Sequence, residues 1–168
     1  MDKARLYFGE IQTQISFAKR AFEEYKQALT ISDVVSVFYH THHFLIHATN
    51  IDKLIDVDIS SFRGKYIAPL FSGQAIDLKQ FRRLRNHLEH FDERLDKWAK
   101  NFSGHAFFDM NIITGAKGFP KKAFLRAMDG QIFRFHGEDY DLNALYSEIE
   151  KIERLINNAN QRFVTGKS

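Results

Sequence analysis

Residues 4–29, ARLYFGEIQTQISFAKRAFEEYKQAL, carry the pattern on which the fold turns. Ala4, Phe8, Ile11, Ile15, Ala18, Phe22, Tyr25 and Leu29 are separated alternately by four and three residues. On a helix of about 3.6 residues per turn they fall on one stripe about seven turns long. An amphipathic helix of that length has to lay its stripe against other helices.

The same spacing recurs. Ser32 or Asp33 can cap a second helix through Val34, Val37, Phe38, Thr41, Phe44, Leu45, Ala48, Ile51 and Ile55. Residues 56–76 are less regular, with Gly64, Pro69 and Gly73 as breakers. Asp77 and Gln80 form an Asp-led relative of the capping box. The stripe after it is Phe81, Leu84, Leu88, Phe91, Leu95, Trp98 and Phe102, which predicts one long third helix. Then the period shortens. HAFFDMNIITG, KKAFLRAM and QIFRFHG read as short strands, with Asp129-Gly130 as a hairpin turn between the last two. Asp141 can cap a final helix whose stripe is Leu142, Leu145, Ile149, Ile152, Ile156, Ala159 and Phe163.

The expected fold is therefore mainly α: an antiparallel four-helix bundle with a small β-ribbon, about residues 105–138, inserted between the third and fourth helices. Such a ribbon is too small to fold alone, so residues 1–168 are read as a single domain.

The chain has no cysteine, which excludes disulfides, a cysteine nucleophile and thiolate metal sites. No apolar run approaches the length of a membrane span and no secretory leader is visible, so a cytoplasmic protein with no membrane partner is expected. The net charge of +3 is unremarkable, but its distribution is uneven. Residues 79–87 carry Lys79, Arg82, Arg83 and Arg85 without an acid, and residues 115–128 carry Lys117, Lys121, Lys122 and Arg126, also without one. Either patch alone reads as a solvated face; two beside a histidine pair point to an anionic partner.

That pair lies in RLRNHLEHFD, residues 83–92. Arginine offers a permanently charged fork for phosphate, histidine moves protons near neutral pH, and asparagine can orient an oxygen. Together they suit metal-independent RNA cleavage. A base activates the ribose 2′-OH while a cation stabilises the pentavalent phosphorus, with no serine or cysteine nucleophile. The geometry sets a condition. Arg85 and His90 are separated by about 7.5 Å of rise and about 140° of rotation on a straight helix. A joint site needs a second chain, a neighbouring helix or a distortion.

Arg85-Asn86-His87-Leu88-Glu89-His90 resembles the R-x(4–6)-H motif of the HEPN superfamily, in which a polar residue usually follows the arginine. The resemblance implies a helical bundle, often dimeric, and in many members a metal-independent endoribonuclease of toxin–antitoxin or other defence systems. Copies of the motif meet there in a cleft between subunits. It implies Arg85 as the phosphate-binding cation, Asn86 as a positioning residue and His90 as the catalytic histidine. Arg82, Arg83, His87, Lys121 and Lys122 become candidate RNA-binding residues, and Glu89 a secondary one. No cofactor is implied. The partners are RNA, a second copy of the chain and an antitoxin or other protein. Arg82 and His87 satisfy the same spacing; Asn86 favours the Arg85 frame. Some members of the superfamily are non-catalytic, so a helical module that binds a protein or nucleotide is the alternative function.

A second constellation is YHTHHFLIH in the second helix. His40, His43 and His47 form one stripe beside the apolar face. His43 and His47 have a spacing that can place two imidazoles on one metal, to which Asp109 or His136 could add ligands. The stripe reads as a polar flank, as a second wall of the Arg85/His90 cleft, or as a metal site that would make the chain a histidine-rich metal-binding bundle. No H-E-x-x-H pattern supports the last. GAKG at 115–118 and the terminal TGKS lack the remainder of a P-loop. Phe107, Phe108, Phe124, Phe133 and Phe135 on the ribbon either stack bases or fill the core.

Overall fold

A computed structural model describes residues 3–102, 108–113, 120 and 123–165. The protein is mainly helical, with six helices and one small sheet among the described residues. Helix α1 is Lys3–Thr30 and α2 is Val34–Ile55. The α1 stripe is buried from Ala4 to Ala28, and Leu29 packs at the edge of the core. Ser32 turns the chain with a positive φ of 56°. Asp33 then caps α2, accepting from the Ser36 backbone N–H at 3.1 Å. The three-residue turn folds α2 back along α1, so Phe22 meets Phe44 at 5.1 Å between ring centres.

The stretch expected to be irregular holds a short helix, α3, Gly64–Phe71. Pro69 lies inside it, where the freed carbonyl is tolerated in a helix of only two turns. Gly64 starts it because nothing larger fits: a Cβ there would stand 1.8 Å from the Asp58 carbonyl oxygen.

The expected long third helix is two helices, α4 (Lys79–Glu89) and α5 (Phe91–Lys100). Leu78, not Asp77, occupies the cap position of α4, although the Asp77 carboxylate accepts from the Lys79 N–H at 3.0 Å. His90 breaks the run, with φ −116° and ψ 39°. The break has a tertiary cause. It turns Phe91 onto the sheet, where its ring stacks on Phe135 at 6.0 Å and lies under the Arg126 guanidinium at 5.1 Å. Asp92 and Glu93 in the first turn of α5 complement the new helix dipole. Beyond the break the heptad-like pattern loses its meaning: Trp98 is buried, while Leu95 and Phe102 are exposed.

The sheet has four strands, β1 (Phe108–Ile113), β2 (Phe124–Asp129), β3 (Ile132–Phe135) and β4 (Glu138–Asp141), in that order. β1 pairs with β2 in parallel, so the ribbon is not a simple meander. β2–β3 and β3–β4 are antiparallel hairpins. Gly130 opens the first turn at φ 59°. The expected strand through His136 and Gly137 instead turns there. Both residues have positive φ, 50° and 84°, as a type I′ turn demands, and Glu138–Asp141 returns as β4. Phe124, Phe133 and Phe135 are buried, so these three rings are core and not a stacking surface. Phe107 and the Phe108 side chain lie outside the described residues.

Asp141 caps α6, Leu142–Thr165, accepting from the Asn143 and Ala144 N–H groups at 2.9 and 3.0 Å. α6 runs antiparallel to α1. Gln12 bonds Asn157, Lys19 pairs with Glu153 at 2.8 Å, and Phe22 stacks on Tyr146 at 4.3 Å. No helix among the described residues is long and apolar enough to cross a membrane.

Candidate functional site

Helix α4 is held from two sides, and its two flanks carry different chemistry. Phe81 and Leu84 seat it in the core. On the flank toward α2, Arg82 Nε stands 3.4 Å from Asp52 Oδ1, and Arg82 Nη2 stands 3.1 Å from Asp56 Oδ1. Asp52 is fully buried. Burial raises its pKa, and the Arg82 and Arg85 charges oppose that rise without cancelling it. Its Oδ2 has no hydrogen-bond partner among the described residues.

Arg85 lies next along this flank. Its guanidinium makes two long ion pairs, 3.9 Å to Asp52 Oδ2 and 3.8 Å to Glu89 Oε2. Its buried Nε has no hydrogen-bond partner among the described residues. Glu89 itself is tied to Lys53 Nζ at 2.7 Å. That hydrogen bond is the first cause of the lowered Glu89 pKa; the charges of Arg85 and His90 add to it. Glu89 therefore lies within the fields of both motif residues.

On the flank toward the sheet, His87 is buried. Arg94 Nε donates to its Nδ1 at 3.1 Å, and its Nε2 faces Glu138 Oε1 at 3.6 Å. Burial lowers the His87 pKa, Glu138 counteracts, and Arg94 and Arg83 add to the lowering. Tyr140 donates to Glu138 Oε2 at 3.0 Å, and Arg83 Nη1 reaches the same oxygen at 3.4 Å. The His136 ring lies 6.2 Å from that of His87, and burial lowers its pKa too.

Asn86 and His90 are exposed. His90 Nδ1 is 3.3 Å from Glu93 Oε1. Arg85 thus pairs loosely with Glu89 while His90 pairs with Glu93, and no contact joins Arg85 to His90 directly among the described residues. His90 occupies the helix break, and its one side-chain contact given by the structure is to Glu93, on the α5 side of that break. Arg82 and Arg83 are spoken for by carboxylates, and His87 turns to the sheet instead of to solvent. Lys121 and Lys122 lie outside the described residues.

The histidine stripe of α2 faces α1. His47 Nδ1 is 2.9 Å from Gln14 Oε1, and its ring lies 5.1 Å from Phe17. Tyr39 meets the rings of His40 and His43 edge-on at 5.1 and 4.2 Å. Asp109 is taken by Arg126, and His136 is beside His87, so neither joins the stripe. No group of three or more His, Cys, Asp or Glu among the described residues is placed to hold a metal ion.

The sequence reading missed Asp52, Arg94, Glu138 and Tyr140. For Asp52 a signal existed. It falls four residues after Ala48 and seven after Leu45, both buried positions of α2, and a carboxylate at that period requires a cation on the opposing helix. Arg94, Glu138 and Tyr140 depend on the helix break and on the β3–β4 turn, which local pattern does not specify. No family model, curated protein or solved structure matches this chain.

Proposed function

We propose that the chain is a metal-independent endoribonuclease of HEPN type, built on a helical-bundle frame and acting as a homodimer in the cytoplasm, with a toxin or defence role and an antitoxin or other protein as partner. The observation that carries the reading is Arg85: a half-buried guanidinium with only long ion pairs and an unpartnered Nε, five residues before an exposed histidine at a helix break. The Nε is enclosed, so a phosphodiester would bind at the solvent-facing side of the guanidinium and supply there the short hydrogen bonds that Asp52 and Glu89 do not. His90 takes the proton of the ribose 2′-OH. The 2′ oxygen attacks the adjacent phosphorus, Arg85 stabilises the charge on the pentavalent centre, and the P–O5′ bond breaks to leave a 2′,3′-cyclic phosphate, the 5′ oxygen taking a proton from solvent water. Asn86, on the exposed face with His90, orients a non-bridging oxygen.

The test incubates the purified full chain with mixed RNA in EDTA, beside Arg85→Ala and His90→Ala. Cleavage by the wild type and loss in both variants is expected. Cleavage that persists in both variants removes the assignment, and cleavage abolished by EDTA transfers it to a metal mechanism.

A second reading rests on the same contacts. Arg85 faces two carboxylates and His90 faces Glu93, so the motif is also suited to a non-catalytic HEPN-like module that binds a protein or nucleotide. Its mark is intact folding, no RNA cleavage and a stable partner.

A further inference from the structure

The loop that joins α2 to α3, residues 56–63, leaves the Phe62 side chain 58% exposed. A single apolar side chain in solvent is ordinary. Phe62 is set apart by its neighbours. Its ring meets that of Tyr66 on α3 edge-on at 5.7 Å, and Tyr66 stacks on Tyr7 of α1 at 6.2 Å. Tyr66 and Tyr7 pack against the core, so the outermost ring leans on two that are anchored.

Cations border this platform. Lys3 Nζ lies over the Phe62 ring at 5.1 Å, Arg63 follows it in the chain, and Lys65 is exposed one position beyond Gly64. No carboxylate forms an ion pair with Lys3, Arg63 or Lys65 among the described residues. Arg82, Arg83 and Lys53, by contrast, are each held by an acid. The two acids of the loop are engaged elsewhere: Asp56 pairs with Arg82 at 3.1 Å, and the Asp58 carboxylate accepts from the Ser60 N–H at 2.7 Å.

The platform is also continuous with the Arg85 flank. Arg63 Nη2 donates to the Lys53 carbonyl oxygen at 2.9 Å, Lys53 Nζ donates to Glu89 at 2.7 Å, and Glu89 lies 3.8 Å from Arg85. Phe62 and Arg85 thus stand at the two ends of one track across the C-terminal end of α2.

We propose that this track binds single-stranded RNA, with a base stacked on Phe62, the flanking phosphates at Lys3, Arg63 and Lys65, and the strand running on to Arg85. An aromatic face beside a line of cations is how single strands are held without regard to sequence. Only an unpaired base can leave its neighbours to stack on a side chain, so the platform selects single strands over duplex. A lipid surface could engage the same ring and cations, but it gives no part to the connection with Arg85. The inference rests on the reading of Arg85 as a phosphodiester site.

The test reads binding apart from chemistry. A labelled 2′-O-methyl oligouridylate of about 12 nucleotides, within the usual site sizes of about 4–16, is titrated with the full chain by fluorescence anisotropy. It lacks the 2′-OH and cannot be cleaved. Phe62→Ala should weaken its binding by about 5- to 100-fold, the scale of one lost base stack, and Phe62→Tyr should retain it. Lys65→Ala should lower the slope of log affinity against log salt by about 0.7, the share of one phosphate contact, while Phe62→Ala leaves that slope unchanged. The same strand annealed to 2′-O-methyl oligoadenylate should bind more weakly and be indifferent to Phe62→Ala. The proposal is overturned if the wild type does not bind the single strand, if Phe62→Ala binds it as well as the wild type, or if the duplex loses as much. It is overturned too if phosphatidylserine vesicles, and not the oligonucleotide, bind in a manner that depends on Phe62. Oligonucleotide binding that depends on Phe62, without cleavage of ordinary RNA, would sustain the track and remove the nuclease assignment alone.

Discussion

Arg94 Nε donates a 3.1 Å hydrogen bond to His87 Nδ1 across the break between α4 and α5. An arginine can only donate, so Nδ1 must keep its lone pair and the imidazole is neutral with its proton on Nε2. Protonation would place two cations face to face in a buried setting. The folded pKa of His87 therefore lies below its ordinary value of 6.5. The unfolded chain then binds more protons as pH falls through 6.5, so stability is full above that value and declines below it, down to the folded pKa. His42, His47 and His136 are lowered as well and add with the same sign. Asp52, whose pKa is raised, acts oppositely, but in the carboxylate range further down. Urea unfolding at about pH 7.5 and about pH 5.5 should show lower stability at the acid value. His87→Gln, which can still accept from Arg94 but does not titrate, should reduce that difference. An unchanged difference would assign the slope to the other histidines.

The helices were legible because their cause is local. The stripe Ala4–Leu29 needs only the 3.6-residue period, and Asp33 and Asp141 cap where short acceptor side chains precede apolar periods. The break at His90 was not legible, since Phe81 to Phe102 keep an unbroken apolar period through it. What decides it is the Phe135 ring and the Arg126 guanidinium, more than thirty residues away. The same holds for the site. Arg85, Asn86 and His90 could be named from their spacing, and Glu89 as a partner of Arg85 from its place one turn on in the same helix, but Asp52 joins them only once α2 lies against α4.

Asp52 and its two arginines should respond asymmetrically to mutation. Asp52→Ala removes a buried charge and leaves Arg82 and Arg85 able to turn to water, since both side chains are partly exposed. Its expected cost is about 1–2 kcal/mol, below the range for breaking a wholly buried pair. Arg82→Ala with Arg85→Ala strands a fully buried carboxylate, which should cost about 3–5 kcal/mol near neutral pH. The double variant should also regain stability on acidification into the carboxylate range, where Asp52 becomes protonated. Denaturant midpoints at two pH values separate the cases. Equal costs for the two constructions would mean that solvent reaches Asp52.

Two glycines give a paired test of backbone packing. Gly64→Ala would drive a Cβ to 1.8 Å from the Asp58 carbonyl oxygen, a backbone atom that cannot swing aside. The turn into α3 must open, at an expected cost of about 1–3 kcal/mol or more. Gly9 sits on the exposed face of α1 with nothing within 4 Å of the added methyl, so Gly9→Ala should stabilise by about 0.5–1 kcal/mol through helix propensity. Thermal unfolding of the two variants should move in opposite directions; parallel shifts would contradict the close approach at Gly64.

The sequence offers two registers of the arginine–histidine spacing, and their surroundings separate them. In the frame Arg82–His87, the arginine is bonded to Asp52 and Asp56 and the histidine is buried against the sheet. Arg82→Ala and His87→Gln should therefore lower stability, with any loss of RNA cleavage following the loss of folded protein. In the frame Arg85–His90, the histidine is exposed and the arginine only loosely paired. His90→Ala should change stability by no more than about 0.5 kcal/mol, as is usual for an exposed position, while cleavage falls by at least about 100-fold, the scale of a missing general base. The measurement that decides is the ratio of cleavage rate to folded fraction for each variant. A ratio that drops for Arg82→Ala and His87→Gln, but holds for Arg85→Ala and His90→Ala, would move the chemistry to the buried flank and make Arg94 and Glu138 its partners.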